Sequence, residues 1–283
     1  MTPSAEHDVI EQPEGRLVVT RAGTGGTPVL LLSGGGIDNA ALSWSRLLPD
    51  LARDRAVYAP DWPKQGRSMP WHGVADHERL LRVVTTVLDH YDLERADLVG
   101  LSQGGALALA TAIERPERVR RLIAMAPAGI ISFPPVVHQL LWLTARLPLL
   151  HDTLPSMMVR TRDQVARLVR STLIPGPVED FEEIVDEVMA EVQRRGGGSS
   201  SDWQNHSIGF WRMRVDLRPR LHTITCPTLL VQGDKDRGVA PRHTQAAARL
   251  IPGARLEMVP GAGHWVNRQE PELVNRLVRD FLD

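Results

Sequence analysis

The 283-residue sequence predicts an α/β fold with a mostly parallel central sheet, and three observations support this class. Short apolar runs bounded by turn residues alternate with longer segments of helical periodicity, as in sheets covered by helices. Most of these runs are continuously apolar, which is typical of strands buried on both faces. The alternation stops between residues 131 and 217 and then resumes, which indicates a helical insertion.

The strands and the helices that pack on them follow from these patterns. We expect seven strands, at residues 17–20, 29–32, 56–59, 97–101, 121–125, 228–232 and 255–259. Apolar residues recur at helical spacing in residues 77–91 and 270–282, which predicts two helices packed on the sheet. A chain of this length can form one large core.

The insertion predicts a cap made of helices. Thr161 and Gln164 have the spacing of a capping box, which marks a helix start. The following apolar repeat begins at acidic Glu179 and Asp180 and ends at basic residues, in agreement with the helix dipole. Residues 196–201 read GGGSSS and predict a flexible loop. We therefore divide the chain into a core, residues 1–130 and 218–283, and a cap, residues 131–217.

Charge and cysteine content exclude several function classes. The 33 basic and 34 acidic residues give a formal net charge of -1, so we expect neither nucleic acid nor a membrane as a partner. The single cysteine, Cys226, has no intramolecular disulfide partner and no cysteine partner for a metal site. Without a signal-peptide pattern or a long apolar run, we expect a cytoplasmic protein.

The most informative motif is the stretch Gly100-Leu101-Ser102-Gln103-Gly104, which has the form G-x-S-x-G. It follows an apolar strand and precedes a helix of small residues, the context in which this motif forms a nucleophile elbow. The sharp turn holds the serine in a strained conformation that exposes its hydroxyl. We therefore expect Ser102 to be a catalytic nucleophile.

A serine nucleophile needs a base and an acid, which should follow later strands at the same sheet edge. Of the ten histidines, His264 alone combines a position after a strand with a glycine turn, so it is the expected base. Two acids, Asp234 and Asp236, follow the preceding strand. We favour Asp236 as the acid and expect Asp234 to brace the turn.

The developing negative charge on an attacked carbonyl needs preorganised backbone donors. The glycine loop at residues 33–36 directly follows a strand and has no side chains to obstruct a substrate. We assign the N–H groups of Gly35 and Gln103 to the oxyanion hole, with Gly36 as an alternative donor. A glycine-rich turn without a ligand is the other interpretation of this loop.

These motifs together resemble the α/β-hydrolase superfamily along almost the whole chain apart from the cap. The matching segments are VLLLSGGG, YAPDWPKQGRS, LVGLSQGG, LLVQGDKDRGVAP and GAGHW. The resemblance implies an α/β-hydrolase fold with Ser102 as nucleophile, Asp236 as acid and His264 as base, and neither metal nor organic cofactor. Ser33 replaces the usual histidine of the oxyanion loop.

A narrower similarity points to hydrolases that cleave carbon–carbon bonds in vinylogous diketones. It is carried by the GGG loop with a later Ser43-Trp44, by MAPAGI, and by His264-Trp265 followed by EPELVNRLVRDFL. Leu101 stands where that subfamily usually has asparagine. Members of that subfamily also carry an active-site arginine in the cap. Its counterpart in this chain stays unassigned, because four arginines are candidates: Arg160, Arg162, Arg167 and Arg170.

The expected activity is hydrolysis of an ester, lactone or thioester with a hydrophobic acyl or aromatic part, through an acyl-enzyme. Two alternatives remain: a carbon–carbon bond hydrolase or lyase, and a non-catalytic receptor on a hydrolase scaffold. We expect a small hydrophobic substrate and leave the oligomeric state open, with a homodimer among the options. The residues expected to line the pocket are Leu101, Trp142, Met157, Trp211 and Trp265, under a cap that also contains Met158, Trp203 and Phe210.

Overall fold

A computed structural model describes residues 4–147, 149–150, 159–195 and 201–283. Within these residues an eight-stranded sheet has the order β1-β2-β4-β3-β5-β6-β7-β8. The strands are β1 (Glu6–Gln12), β2 (Gly15–Ala22), β3 (Val29–Leu32), β4 (Val57–Pro60), β5 (Ala96–Leu101), β6 (Val119–Met125), β7 (Thr228–Gly233) and β8 (Arg255–Val259). Strands β3 to β8 pair in parallel, whereas β1–β2 and β2–β4 are antiparallel. The predicted class, a mostly parallel sheet, is confirmed.

Helices cover both faces of this sheet. They are α1 (Ala40–Trp44), α2 (Leu47–Leu51), α3 (His77–His90), α4 (Gln103–Glu114), α5 (Pro135–Arg146), α6 (Arg162–Leu168), α7 (Phe181–Arg194), α8 (Asp202–Ser207), α9 (Pro241–Leu250), α10 (Val266–Gln269) and α11 (Pro271–Leu282). Short 3-10 turns lie at Pro116–Arg118 and Arg218–Thr223, and a π-helical turn, Val169–Leu173, extends α6. The buried apolar residues form two clusters, one on each side of the central strands.

The expected strands are all present, and one strand was missed. Strand β1 has the sequence EHDVIEQ, which contains only two apolar residues, Val9 and Ile10, and it lies at the sheet edge with only Ile10 buried. It pairs with β2 alone, so it lacks the continuous apolar pattern by which the inner strands were recognised. Both expected packing helices, α3 and α11, are present.

Between β6 and β7 the described elements are helical, with one isolated bridge between Ile208 and Met213. The capping box is formed, because the Thr161 hydroxyl and the Gln164 side chain each accept a backbone N–H of the other residue. The predicted loop at residues 196–201 lies outside the described residues except for Ser201. We call residues 131–217 the helical insertion; its division from the core at those residues stays a prediction.

Buried polar contacts attach the insertion to the core. Glu191 of α7 is fully buried, and its carboxylate accepts the Asn39 side-chain amide at 2.9 Å and the Gly66 N–H at 3.0 Å. Arg194 of the same helix also donates to Glu191. Both core partners lie in loops that follow strands, so this carboxylate ties α7 to the edge of the sheet at which the parallel strands end.

Candidate active site

Ser102 lies at the junction between β5 and α4 in a backbone conformation that few non-glycine residues adopt, with φ 53° and ψ -111°. The turn is held by hydrogen bonds from the Ser102 N–H to the Met125 carbonyl and from the Ala128 N–H to the Ser102 carbonyl, each 2.9 Å. A Cβ atom on Gly104 would collide with the backbone of Leu32. The strained turn therefore depends on glycine, as the elbow motif requires.

His264 and Asp236 come from the loops after β8 and β7 and contact each other. The Nδ1 atom of His264 lies 2.9 Å from Oδ2 of Asp236, and both side chains are buried. The Gly238 and Val239 amides donate to Asp236 Oδ1 at 2.7 and 2.9 Å. With Nδ1 donating to the carboxylate, the neutral ring keeps Nε2 as an acceptor, which is the tautomer a general base requires.

The surroundings of Asp236 keep it ionised. Burial by itself raises its pKa, but the hydrogen bond and charge of His264, the Val239 amide and the Gln232 side chain outweigh this effect and lower it below the ordinary value. Gln232 donates to Asp236 Oδ2 at 2.9 Å. The carboxylate is therefore held both in position and in charge state.

The two acids considered in the sequence have different surroundings. Asp234 is partly exposed, and its Oδ1 accepts the Gly261 N–H at 2.7 Å, which joins the loop after β7 to the loop after β8. The structure brings Asp236, and not Asp234, to the imidazole of His264. Asp234 occupies the bracing position expected for it.

The two favoured oxyanion donors lie beside the serine. Gly35 and Gln103 line the same cavity as Ser102 and His264, whereas Gly36 is not among the lining residues. A Cβ atom on Gly35 would lie too close to Gln103 Oε1, so the Gln103 side chain packs directly against the glycine loop and would have to shift to admit a larger residue there. The Ser201 hydroxyl donates to Gln103 Oε1 at 2.9 Å, which links this corner of the site to the start of α8.

A third carboxylate, Asp38, lies buried behind the glycine loop. It accepts hydrogen bonds from the Gly34 N–H at 2.8 Å, the Asn39 N–H at 2.8 Å and the Ser43 hydroxyl at 2.6 Å. Burial raises its pKa to about 6, although these three donors and the nearby charge of His264 act in the opposite direction. Sequence analysis missed Asp38 as part of the site, because no motif marks it.

The cavity in front of Ser102 has a volume of about 360 Å³ and is mostly apolar. From the insertion it is lined by Ile131, Phe133, Leu141, Leu168, Thr172, Leu173, Ser201, Trp203, Gln204, Ser207, Ile208 and Met213. Among the described residues, no Arg, Lys, Asp or Glu lines it. The arrangement can therefore present a nucleophile and a base to an uncharged carbonyl group.

The predicted pocket residues require correction. Trp265 lines the cavity, but Leu101, Trp142 and Trp211 are not among its lining residues. Leu101 is fully buried in the core, and Trp142 packs edge-on against Phe210 at a ring-centroid distance of 4.9 Å. Trp211 is 82% exposed. Met157 and Met158 lie outside the described residues.

Comparison with known proteins now assigns the chain to a class. The family model that describes the α/β hydrolase fold matches residues 27–271, and the chain belongs to this family. It is 31% identical to 2-hydroxy-6-oxo-2,4-heptadienoate hydrolase of Pseudomonas putida over 91% of this chain and 89% of the relative. It is 31% identical to 2-hydroxy-6-oxo-6-phenylhexa-2,4-dienoate hydrolase of Burkholderia cepacia over 91% and 88%.

Solved structures agree on the fold. The enol-lactonase of Burkholderia xenovorans LB400 superposes with a TM-score of 0.73 at 23% identity, over 95% of this chain and 96% of that one. At this identity the similarity defines the fold and not the substrate.

Proposed function

We propose that this chain is a serine hydrolase that acts on an uncharged ester, lactone or thioester with a hydrophobic acyl or aromatic part. The observation that carries this proposal is the mostly apolar cavity that Ser102, His264 and the candidate oxyanion donors Gly35 and Gln103 line together. The resemblance in the motifs and the match to the α/β hydrolase fold family support the same assignment.

In the proposed reaction, Ser102 Oγ attacks the carbonyl carbon while His264 Nε2 takes the hydroxyl proton. The N–H groups of Gln103 and Gly35 stabilise the oxyanion, and each such donor contributes about a hundredfold to a thousandfold in rate. The intermediate collapses and His264 returns the proton to the leaving alcohol or thiol. Water, deprotonated by His264, then attacks the acyl-enzyme and releases the acid and free Ser102.

The absence of cations from the described cavity lining favours an uncharged substrate. The two relatives are named for dienoates, which carry a carboxylate, and burying a carboxylate without a partner is costly. Arg162 forms ion pairs with Glu182 and Asp186 instead, and Arg170 stacks on Phe181 at 3.7 Å from the ring centroid. Arg160 and Arg167 are exposed.

Hydrolysis of a carbon–carbon bond is the second candidate, and the 31% identity to the two dienoate hydrolases over 91% of this chain favours it. It would start at the same carbonyl, and the leaving carbon would have to depart as a stabilised carbanion, which a vinylogous diketone provides. The apolar cavity is compatible with this reaction as well, and so is the position of Trp265, which follows the expected base His264 and lines the cavity. The two candidates differ in the leaving group and in the charge of the substrate.

A paired substrate panel tests the proposal. We expect turnover of p-nitrophenyl esters from acetate to decanoate, with little or no decay of 2-hydroxy-6-oxo-dienoates measured by their visible absorbance. The Ser102→Ala variant provides the background. Decay of the dienoates with no ester turnover would replace the first candidate with the second.

Labelling with a fluorophosphonate probe tests the step that the two candidates share. We expect one modified peptide, containing Ser102, and no modification of Ser102→Ala. An unlabelled wild-type protein that turns over neither substrate class, but is stabilised by hydrophobic ligands, would indicate a non-catalytic receptor.

A further inference from the structure

Helix α5 has an exposed apolar side. Val136, Leu140, Leu143 and Leu147 recur every three or four residues and therefore lie along one side of this segment. Val136 is 79% exposed and Leu140 is 62% exposed. Large apolar side chains that are exposed together, unlike single ones, commonly mark a surface that another molecule covers.

A short hairpin next to α5 carries two more exposed aromatic residues. Ile208 and Met213 pair as an antiparallel bridge, and the Gly209 N–H donates to the Arg212 carbonyl at 3.1 Å. This places Phe210 and Trp211 at the tip of the turn, with their rings edge-on at a centroid distance of 4.6 Å. An exposed tryptophan at the tip of a tight turn buries little surface in the protein itself.

The helix and the hairpin form one continuous surface. His138 of α5 donates from Nε2 to the Gly209 carbonyl at 2.7 Å, and Trp142 packs against Phe210. We call this surface the apolar face; it consists of Val136, Leu140, Leu143, Leu147, Phe210 and Trp211.

The charged residues of the two segments that carry the apolar face are all basic. Residues 131–147 and 203–215 contain no Asp or Glu but include Arg146, Arg212 and Arg214. None of these arginines forms an ion pair with another described residue. The acids that flank residues 203–215 along the chain are paired, Asp202 with Lys64 and Asp216 with Arg218, each at 2.7 Å.

We propose that the apolar face docks on an anionic lipid–water interface. Exposed aliphatic and aromatic side chains with flanking arginines suit the boundary between acyl chains and negatively charged headgroups. A second copy of this chain is a poorer occupant, because a two-fold contact through the same face would bring like-charged arginine clusters together. The apolar and the cationic features therefore favour the same partner.

The position of the cavity suggests what such docking would achieve. Leu141 lies on α5 between two members of the apolar face, and Ile208 and Met213 flank the hairpin tip; all three line the cavity. Helix α5 and the hairpin therefore contribute side chains both to the apolar face, on the outside, and to the cavity in front of Ser102. Docking would place the entrance for a lipid-dissolved substrate at the interface, a consequence that rests on the proposed function.

This inference departs from the expectation that no membrane is a partner. That expectation depended on net charge and on the lack of a spanning segment, and no helix in the described ranges is long and apolar enough to cross a bilayer. Interfacial docking needs neither a spanning helix nor a large net charge, because a local apolar surface with a few cations suffices.

Vesicle flotation of the full-length chain tests the docking. We expect binding to vesicles of equal parts phosphatidylglycerol and phosphatidylcholine, and weaker binding to phosphatidylcholine alone. Trp211→Ser should reduce binding about tenfold. Arg212→Gln combined with Arg214→Gln should reduce binding to anionic vesicles by roughly fivefold for each charge removed.

Leu250→Ser is the matched control, because Leu250 is 44% exposed on α9, and it should bind as the wild type does. Hydrolysis of soluble p-nitrophenyl acetate is measured in parallel, so that failure of the proposed function is seen separately from failure of docking. Equal binding by Trp211→Ser and wild type would overturn the proposal, as would no binding to either vesicle. A dimer that dissociates in Leu140→Ser without any vesicle binding would assign the face to a second copy instead.

Discussion

The carboxyl edge of the sheet and the helical insertion hold their parts of the candidate site in different ways. At the sheet edge, Asp236 accepts four hydrogen bonds, from His264, Gln232, Gly238 and Val239. The insertion lines the cavity mainly with apolar side chains, whose contacts are not directional. The difference suggests that the core determines the chemistry and the insertion determines which molecule reaches it, so substitutions in the two regions should have separable effects.

The largest expected effect comes from the core acid. Asp236→Asn removes the charge that stabilises the imidazolium and disfavours the productive tautomer of His264, so kcat/KM for esters should fall about a thousandfold to ten-thousandfold. Steady-state kinetics on purified protein measures this loss.

Asp234→Asn is the matched control, because Asp234 contacts the Gly261 amide and not the base. We expect a loss of less than about threefold. Similar losses in the two variants would show that the sheet edge acts through general rigidity and not through one carboxylate.

The next effect concerns the junction between the two regions. Glu191→Ala leaves the Asn39 amide, the Gly66 N–H and Arg194 without their buried acceptor. Removal of one partner from such a buried charged contact costs about 3 kcal/mol, which should lower Tm by roughly 6–10 °C in a chain of this size.

Thermal denaturation monitored by circular dichroism measures this change, with Glu183→Ala as the control. Glu183 is exposed on the same helix, and its removal should change the unfolding free energy by less than about 0.5 kcal/mol. Equal Tm values for Glu191→Ala and Glu183→Ala would show that Glu191 does not hold the insertion to the core.

A substitution inside the insertion should change selectivity and leave the chemistry intact. Leu168 lines the cavity from the end of α6, and Leu168→Trp should reduce kcat/KM for decanoate esters about tenfold because the larger ring fills acyl space. Turnover of the acetate ester should stay within about twofold of the wild type, since the nucleophile and base are untouched.

Arg167→Trp adds the same ring one residue earlier, where the side chain is exposed and does not line the cavity. We expect unchanged kinetics on all ester lengths. Loss of acetate turnover in Leu168→Trp without loss of Tm would contradict the separation of the two regions.

The sequence predicted the core well because its signals are local. A buried strand is continuously apolar, and the elbow and the two following loops each occupy fewer than ten residues, so Ser102, Asp236 and His264 could be selected by position after a strand. The exception, β1, pairs on one side only and keeps polar residues. The parallel topology then brings these loops to one edge of the sheet.

The lining from the insertion could not be predicted, because helical periodicity does not specify which side of a helix faces the cavity. Aromatic size suggested Trp142 and Trp211, yet the adjacent Leu141 lines the cavity while Trp211 is exposed. The contact between Ser201 and Gln103 joins residues far apart in the chain. No local pattern encodes such pairings, which depend on how the insertion docks.

The smallest expected effect returns to the core and concerns the charge of Asp38. An ionised Asp38 interacts electrostatically with His264 and favours the imidazolium that forms during catalysis, so Asp38→Asn should lower kcat/KM for esters about twofold to threefold at a pH where Asp38 is ionised. Since the pKa of Asp38 is about 6, wild type and variant should differ most above about pH 7, where Asp38 is ionised. They should converge below about pH 5, where wild-type Asp38 is itself neutral.

The same shift predicts a stability difference of defined sign. Folding raises the pKa of Asp38 from 3.8 to about 6, so its contribution to the unfolding free energy is complete below pH 3.8 and is lost as the pH rises through 6. Asparagine does not titrate, and the Tm of Asp38→Asn relative to wild type should therefore increase from pH 5 to pH 8. Asp280→Asn, exposed on α11, should show no such trend. A pH-independent Tm difference, together with equal kcat/KM of wild type and Asp38→Asn at about pH 7–8, would show that Asp38 only holds Gly34 of the glycine loop and does not influence the base.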